Sequence, residues 1–253
     1  MQMAITRPTG EELQDCELTH IARSPITVSR AIDQHDAYLS VLRSLNVTVI
    51  ELPRLPGHPD AVFVEDTALV LSEVAVLLRP GAPSRLGEVP SMGAALRRYR
   101  QCVAVVEPAT LDGGDLITFG RRILVGETTR SDAGGATALA ELVKPFGYTV
   151  DTVPVQGVLH LKSAATVVDD ETLIVNPACV DLGFLGVKLL EVPLGEPQGA
   201  NVVRIGESLL ADASAPATID LLRGHGAAVR EVEVDEFAKA EGAISCKGVI
   251  FER

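Results

Sequence analysis

The sequence predicts an α/β fold in which about five ββαβ units close into a ring. Three observations predict it. Paired apolar, β-branched runs, each split by a short polar turn, recur at spacings of roughly 40–50 residues. A helical stretch and a further β-type run follow the pairs, as in SDAGGATALAELVKPFG and then YTVDTVPV. The chain also ends half-way through such a pair, in AISCKGVIFER, and the run ITVSR near the N-terminus can supply the missing half. Complementary ends suit a closed ring, whereas a solenoid would need polar terminal caps. An ordinary mixed α/β domain whose hairpins resemble one another by chance is the competing reading.

Taken in order, residues 20–30 (HIARSPITVSR) read as a short strand after an irregular loop. Residues 31–45 put Ile32, Tyr38, Leu39, Leu42 and Leu45 on one helical face, and Asn46 can end that helix. VTVIELP (47–53) is a strand closed by proline. Paired runs then follow from Val62, from Leu111 to Thr128 with a turn at Gly120, from Leu159 to Ala178 with a turn at Asp169–Glu171, and from Ala200 to Ser214 with a turn at Gly206-Glu207. Helices are expected over 131–147 and 214–226, with strands over 148–155 and 227–234.

Composition narrows the function. With 253 residues, 47% of them hydrophobic and 22% charged, the chain can bury a substantial core. Lysine and arginine total 22 against 34 acids, a formal charge of −12, which disfavours nucleic acid and anionic membranes as partners. Aromatics are 4% and tryptophan is absent, so base-stacking platforms are not expected. The N-terminus shows no apolar h-region, and no stretch is long enough to span a bilayer. Cys16, Cys102, Cys179 and Cys246 lack metal-type spacing. A cytoplasmic protein with reduced thiols is the expectation.

Chemistry concentrates near the turns, which a radial fold would gather at a central channel. The run PDAVFVEDTALVL (59–71) holds Asp60, Glu65 and Asp66 among apolar residues with no basic residue between them. Carboxylates in such a run need a cation, supplied either by a buried Arg or Lys of the protein or by a cationic ligand. The later units place Asp112 and Asp115, His160 and Lys162, and Cys246 at comparable positions. A thiol, an imidazole and a carboxylate can together perform an acyl-transfer-like reaction, although singly a core histidine and an inert cysteine are the commoner cases. Gly113-Gly114 permits a close backbone approach, or marks a tight turn. Arg79, Arg85 and Arg130 could each fork onto a carboxylate, or lie solvated on the surface. A zwitterion with a cationic far end would use this whole set.

PDAVFVEDTA, RPGAPSR, TLDGGD, LHLKS and the terminal GAISC, in this order between Leu52 and Phe251, resemble the dimethylarginine dimethylaminohydrolases of the guanidine-modifying superfamily. The resemblance implies a five-bladed α/β propeller around a central active-site channel, formed as a single domain over 1–253. It implies hydrolysis of methylated arginine to citrulline without metal or organic cofactor, and the possibility of a homodimer. Cys246 matches the nucleophile, His160 the general acid and base, and Asp112 the carboxylate that orients the histidine. Glu65 and Asp66 match the guanidinium site, so the missing cation of the acid run would be the substrate. Asp60, Arg85 and Arg130 match the residues for its amino-acid end, Ala240 a backbone carbonyl contact, and Leu18 the leucine of a variable lid loop. Lys162 stands where arginine deiminases and amidinotransferases carry an acid, which suits a methylated nitrogen without hydrogens to donate. Lys247, directly after the cysteine, could depress the thiol pKa through its charge, but is expected to point to solvent. A deiminase or amidinotransferase reaction, and a non-catalytic binder of cationic amino acids, are the alternatives.

Overall fold

Five three-stranded sheets surround a central channel in the computed structural model, which describes residues 1–253. In each sheet the first two strands are antiparallel and the third runs parallel to the second. The blades comprise Ala68–Val70, Val74–Leu77 and Gln101–Ala104; then Leu116–Phe119, Arg122–Glu127 and Thr149–Pro154; then Ala165–Val167, Thr172–Val175 and Lys188–Glu191; then Val203–Ile205, Ser208–Asp212 and Ala228–Val232. The fifth joins Val249–Glu252 to Gln2–Thr6 and Thr48–Glu51. The fold is thus a five-bladed α/β propeller.

Burial follows position in the blade. Middle strands such as Val74–Leu77 and Thr172–Val175 are buried at every residue, as a strand covered on both faces requires. Outer strands such as Thr48–Glu51 and Lys188–Glu191 have exposed ends. The parallel connections run mostly through helices: Val28–Ser44, Val89–Leu96, Ala133–Val143 and Pro216–Gly224. The first of these turns Ala31, Gln34, His35, Tyr38, Leu39 and Leu42 inward at helical spacing. Asp132 caps the third, accepting a hydrogen bond from the Gly135 amide at 2.6 Å. Five apolar clusters, rather than one central core, fill the spaces within and between the blades. No helix is long and apolar enough to cross a membrane.

Three details differ from the sequence reading. The strand expected over 20–30 does not form; residues 20–27 are irregular and the helix begins at Val28. Ring closure instead uses Gln2–Thr6, which pairs antiparallel with Val249–Glu252 in the register Met3 opposite Phe251. Met3, Ala4 and Ile5 are fully buried there, whereas ITVSR begins directly after Pro25, which has no N–H for a ladder. In the third of these blades, residues 176–187 connect the strands with only a short 3-10 turn, Gly183–Leu185, instead of a helix. Pro177, Gly183 and Gly186 in that segment all disfavour a helix interior.

One repeated feature positions the site. A 3-10 turn precedes the inner strand of every blade: Val64–Thr67, Gly113–Asp115, Leu161–Ser163, Pro197–Ala200 and Ser245–Lys247. Neighbouring turns touch one another around the channel. Side chains on the channel-facing side of these turns are therefore brought to the axis, while their neighbours turn into the packed layers behind.

Candidate active site

The five turns are joined by a continuous polar ring. Glu65 Oε1 accepts from Lys162 Nζ at 2.6 Å, and Oε2 accepts from Ser245 Oγ at 2.7 Å. Lys162 Nζ also donates to the Gly113 carbonyl at 3.0 Å. Asn201 Nδ2 donates to Ser245 Oγ at 2.9 Å and to the Lys162 carbonyl at 3.0 Å, while its Oδ1 accepts from the Ser245 amide at 3.1 Å. Each blade contributes one member, which is why buried polar groups persist at the axis of an otherwise apolar fold. Asn201 was not singled out by the sequence reading; its place at the end of the fourth turn is the signal that the repeat alignment could have supplied.

Beside this ring, His160 meets two carboxylates. Its Nε2 lies 3.0 Å from Asp112 Oδ2 and 4.0 Å from Asp66 Oδ1. Asp112 is held by the Gly81 amide, 2.8 Å from Oδ1, and donates its own amide to Ser131 Oγ at 3.0 Å. Gly113-Gly114 is needed for this approach. A Cβ on Gly113 would come within 2.0 Å of the Glu65 carbonyl, and one on Gly114 within 2.6 Å of His160 Nδ1. Asp115 is a supporting residue. It accepts from Ser131 Oγ at 2.6 Å, Thr128 Oγ1 at 2.7 Å and the Leu161 amide at 3.0 Å, and so fixes the segment that carries His160.

Charge at the site follows from these contacts. Burial alone would push the imidazole of His160 down, but Asp66, Asp112 and Asp115 together raise it to about 9. Burial pushes the Cys246 thiol up to about 12, with Glu65 and Asp66 adding to the effect. The Ala243 amide, 3.4 Å from Cys246 Sγ, and Lys162 oppose it. At neutral pH the resting pair is therefore a thiol and an imidazolium. Burial also raises Asp60 to about 6, against the pull of Arg85 and of the Glu17 amide.

Cys246, His160, Asp112, Asp60, Arg85, Arg130 and Ala240 line one cavity of about 30 Å³. Glu65 faces a separate cavity of about 300 Å³ on the inner-strand side of the ring, together with Lys162 and Ser245. Asp66 lies behind His160 and Arg85, and half-buried Leu18 packs against the apolar cluster that contains Phe63 and Phe237. Asp66, Asp112 and His160 also sit close enough to share an ion, but Asp66 and Asp112 are taken by Arg85, His160 and backbone amides.

Two expectations are corrected by these contacts. The cation of the acid run is not missing: Asp66 Oδ2 is 2.5 Å from Arg85 Nη1, and Glu65 holds Lys162. Arg85 also pairs with Glu88 at 2.8 Å and donates to the Phe63 carbonyl at 2.7 Å. Its Nε and Nη2 hydrogens are committed inside the protein, where leaving Asp66 and Glu88 ionised and unpaired would be expensive. Lys247 does not reach solvent. It is fully buried, with Nζ 4.4 Å from the Tyr38 ring centroid and 4.7 Å from that of Phe237. Alternation about the 3-10 turn explains this: Cys246 faces the channel, so its neighbour faces the packed layer behind.

No family model matches the chain. It is 39% identical over 248 residues to an N(G),N(G)-dimethylarginine dimethylaminohydrolase of Streptomyces coelicolor, covering 97% of this chain and 95% of that one. It is 30% identical over 226 residues to the corresponding protein of Pseudomonas aeruginosa, covering 88% and 89%. A solved structure of the Pseudomonas aeruginosa enzyme complexed with citrulline superposes with a TM-score of 0.94 at 28% identity, over 98% of each chain. The N-terminal domain of a cyanobacterial arginine dihydrolase superposes at 0.85 with 20% identity over 99% of this chain and 98% of that one, a likeness of fold alone. With two such relatives matched across nearly their whole lengths, the chain belongs to the N(G),N(G)-dimethylarginine dimethylaminohydrolase family.

Proposed function

We propose that this protein hydrolyses Nω-methylated arginines to L-citrulline and dimethylamine or methylamine, with Cys246 as nucleophile, His160 as general acid and base, and Asp112 orienting the imidazole. The observation that carries the reading is the convergence of Cys246, His160 and Asp112 on one cavity that Asp60 and Arg130 also line. An α-ammonium suits Asp60 and an α-carboxylate suits Arg130, whose fork can bind it through two hydrogen bonds. The guanidinium end is then directed toward the thiol.

A guanidinium arriving beside Sγ adds a positive charge that offsets the repulsion from Glu65 and Asp66 and lowers the thiol pKa. The thiol releases its proton to solvent, and the thiolate attacks the guanidinium carbon to form a tetrahedral adduct. The imidazolium of His160 protonates the methylated nitrogen, the C–N bond breaks and the amine leaves, with a thiouronium remaining on Cys246. The imidazole, now neutral, takes a proton from water as hydroxide adds to the same carbon. Collapse expels the sulfur of Cys246, which takes up the hydroxyl proton to regenerate the thiol, and yields citrulline. Throughout, Asp112 holds the Nε2 face of the ring at 3.0 Å and stabilises its charged form. Lys162 suits methylated substrates, because it stands where a deiminase carries a second carboxylate to accept from an unsubstituted guanidinium nitrogen.

Incubation with asymmetric dimethyl-L-arginine and with arginine, assaying citrulline from both and dimethylamine from the first, tests the reading. Citrulline and dimethylamine should form from the methylated substrate, with far less citrulline from arginine. Cys246→Ser should abolish turnover, while serine at Cys16, Cys102 or Cys179 should not; undiminished turnover by Cys246→Ser would falsify the assignment. Homodimer formation in the cytoplasm belongs to the same family-based reading, and sedimentation velocity checks the dimer.

A further inference from the structure

A cavity of about 30 Å³ holds a couple of water molecules, not an arginine derivative. Something that now fills the head-group end must leave when substrate enters. The segment Glu17–Ile21 lies across that end, and the contacts of Glu17 are specific. Its backbone amide donates to Asp60 Oδ2 at 3.2 Å. Its carboxylate stands 3.6 Å from Arg130 Nη1 and accepts a hydrogen bond from Ser84 Oγ. Arg130 Nη2 is further engaged by Thr19 Oγ1 at 3.0 Å.

One residue thus brings an N–H to Asp60 and a carboxylate to Arg130. The head of an α-amino acid brings an ammonium and a carboxylate to the same two side chains, if the site is read as above. We propose that Glu17 is an internal stand-in for the α-amino-acid head of the substrate, and that it competes with that head for Asp60 and Arg130. The inference rests on the proposed function, since it needs those two residues to be the head-group receptors.

The energetics suit an exchangeable occupant. Arg130 is 12% exposed but the Glu17 side chain is 42% exposed, so the displaced carboxylate returns to water at little penalty. An incoming ammonium then gives Asp60 a full countercharge in place of a neutral amide. The loop is held by a second grip away from Glu17: the amides of Thr19, His20 and Ile21 all donate to the Glu241 carboxylate, at 2.7, 2.5 and 3.0 Å. Glu17 is therefore presented at high effective concentration whenever the loop is down. A guanidine without the amino-acid head has no contest with Glu17, because it asks nothing of Asp60 or Arg130.

The test compares steady-state kinetics of the intact protein, Glu17→Gln and Glu17→Ala on two substrates. One is asymmetric dimethyl-L-arginine and the other is N-butyl-N′,N′-dimethylguanidine, which lacks the head group. The expected result is a fall in KM for dimethylarginine of roughly three- to fivefold in both variants, the loss of a weak intramolecular competitor. KM for the headless guanidine should stay within about twofold of the intact protein. An unchanged or raised KM for dimethylarginine in both variants overturns the inference while leaving the site reading in place. An equal fall for both substrates also overturns it, since Glu17 would then be only bulk in the entrance. Absence of dimethylamine production by the unsubstituted protein overturns the site reading, and this inference with it.

Discussion

Lys162 Nζ sits 2.6 Å from Glu65 Oε1 and 3.0 Å from the Gly113 carbonyl, so one ammonium ties together the inner turns of three blades. Glu65 is about 10% exposed at its side chain and Lys162 about 23%, a pair withdrawn from water without being sealed from it. Removing one partner leaves the other charge largely unpaired, the usual reason that breaking such a pair is costlier than the pair's own net value. Lys162→Met should therefore lower stability by about 2–3 kcal/mol. Urea midpoints at constant slope measure this, and the double variant with Glu65→Gln should lose less than the sum of the two single changes. Additive losses would mean that the two residues do not act as a pair.

The pairing of His160 with Asp112 has a consequence in pH. Burial lowers the imidazole, and the carboxylates around it lift it to about 9, so the ring remains an acid well above its usual range. The alkaline limb of kcat/KM should then reflect loss of the imidazolium near pH 9. Asp112→Asn removes both a hydrogen bond to the charged ring and a nearby negative charge, while the burial stays. The alkaline limb should move to lower pH and kcat should fall by about 10²-fold or more, by analogy with the loss of an orienting carboxylate elsewhere. For stability the sign is also set. A raised folded-state value gives stabilisation that is complete below about pH 6.5 and lost as pH rises through 9. A limb that stays in place in Asp112→Asn would refute this coupling.

How much of this was legible in the sequence depends on the range of the forces involved. The repeated hairpins could be read because a β-type run with a turn is a local pattern, and their turns pointed to the axis. Asp112, His160 and Cys246 converge for that reason, each standing at or beside the same 3-10 turn. The ring closure was misplaced because Gln2–Thr6 is a five-residue strand whose antiparallel partner, Val249–Glu252, is far from it in sequence. The Arg85–Asp66 pair spans 19 positions and the Lys162–Glu65 pair 97, and no periodicity reports such partnerships. Hence the acid run could be seen to need a cation but not to have one already. Lys247 was misread for a related cause. Lysine is almost always exposed, and only the packing of Tyr38 and Phe237 reveals a place that accepts it.

That buried lysine makes a separate prediction. Lys247 Nζ makes no hydrogen bond to the protein, and neither does either nitrogen of His35, whose ring packs beside Tyr38 and Phe237. Burial pushes Lys247 down to about 7, while Cys246 and Asp212 pull it the other way. The unfolded chain holds the lysine proton up to about 10.5, whereas the folded protein gives it up near 7. Between these values the unfolded state binds more protons, so this group's contribution to stability rises with pH. Lys247→Met should thus be at least as stable as the intact protein at pH 7, with only about 2 kcal/mol of cation–π attraction to offset. The difference between the two proteins should shift in favour of the lysine form as pH increases to 9. Thermal midpoints at pH 7, 8 and 9 check this, and a constant difference would contradict it.

The last prediction concerns Glu241, whose carboxylate gathers the three amides of Thr19, His20 and Ile21. Its φ of +56° is the left-handed region, which a side chain with a Cβ adopts at a penalty of about 1–2 kcal/mol. The backbone is pushed there because Gly242 packs so tightly under Phe63 that a Cβ would lie 2.2 Å from the ring, and because the Gly242 amide returns to the Phe237 carbonyl at 2.9 Å. Glycine is the residue that geometry favours, so the carboxylate that grips the loop is what a glutamate adds at this position. Glu241→Ala keeps the strain and loses the grip, while Glu241→Gly loses both. Both variants should free the loop alike, seen as faster hydrogen exchange at the amides of 19–21 and faster alkylation of Cys246 by iodoacetamide. Glu241→Gly should nonetheless be the more stable of the two by about 1 kcal/mol. If alkylation and exchange are unchanged in both, the carboxylate does not hold the loop, whatever the stabilities show.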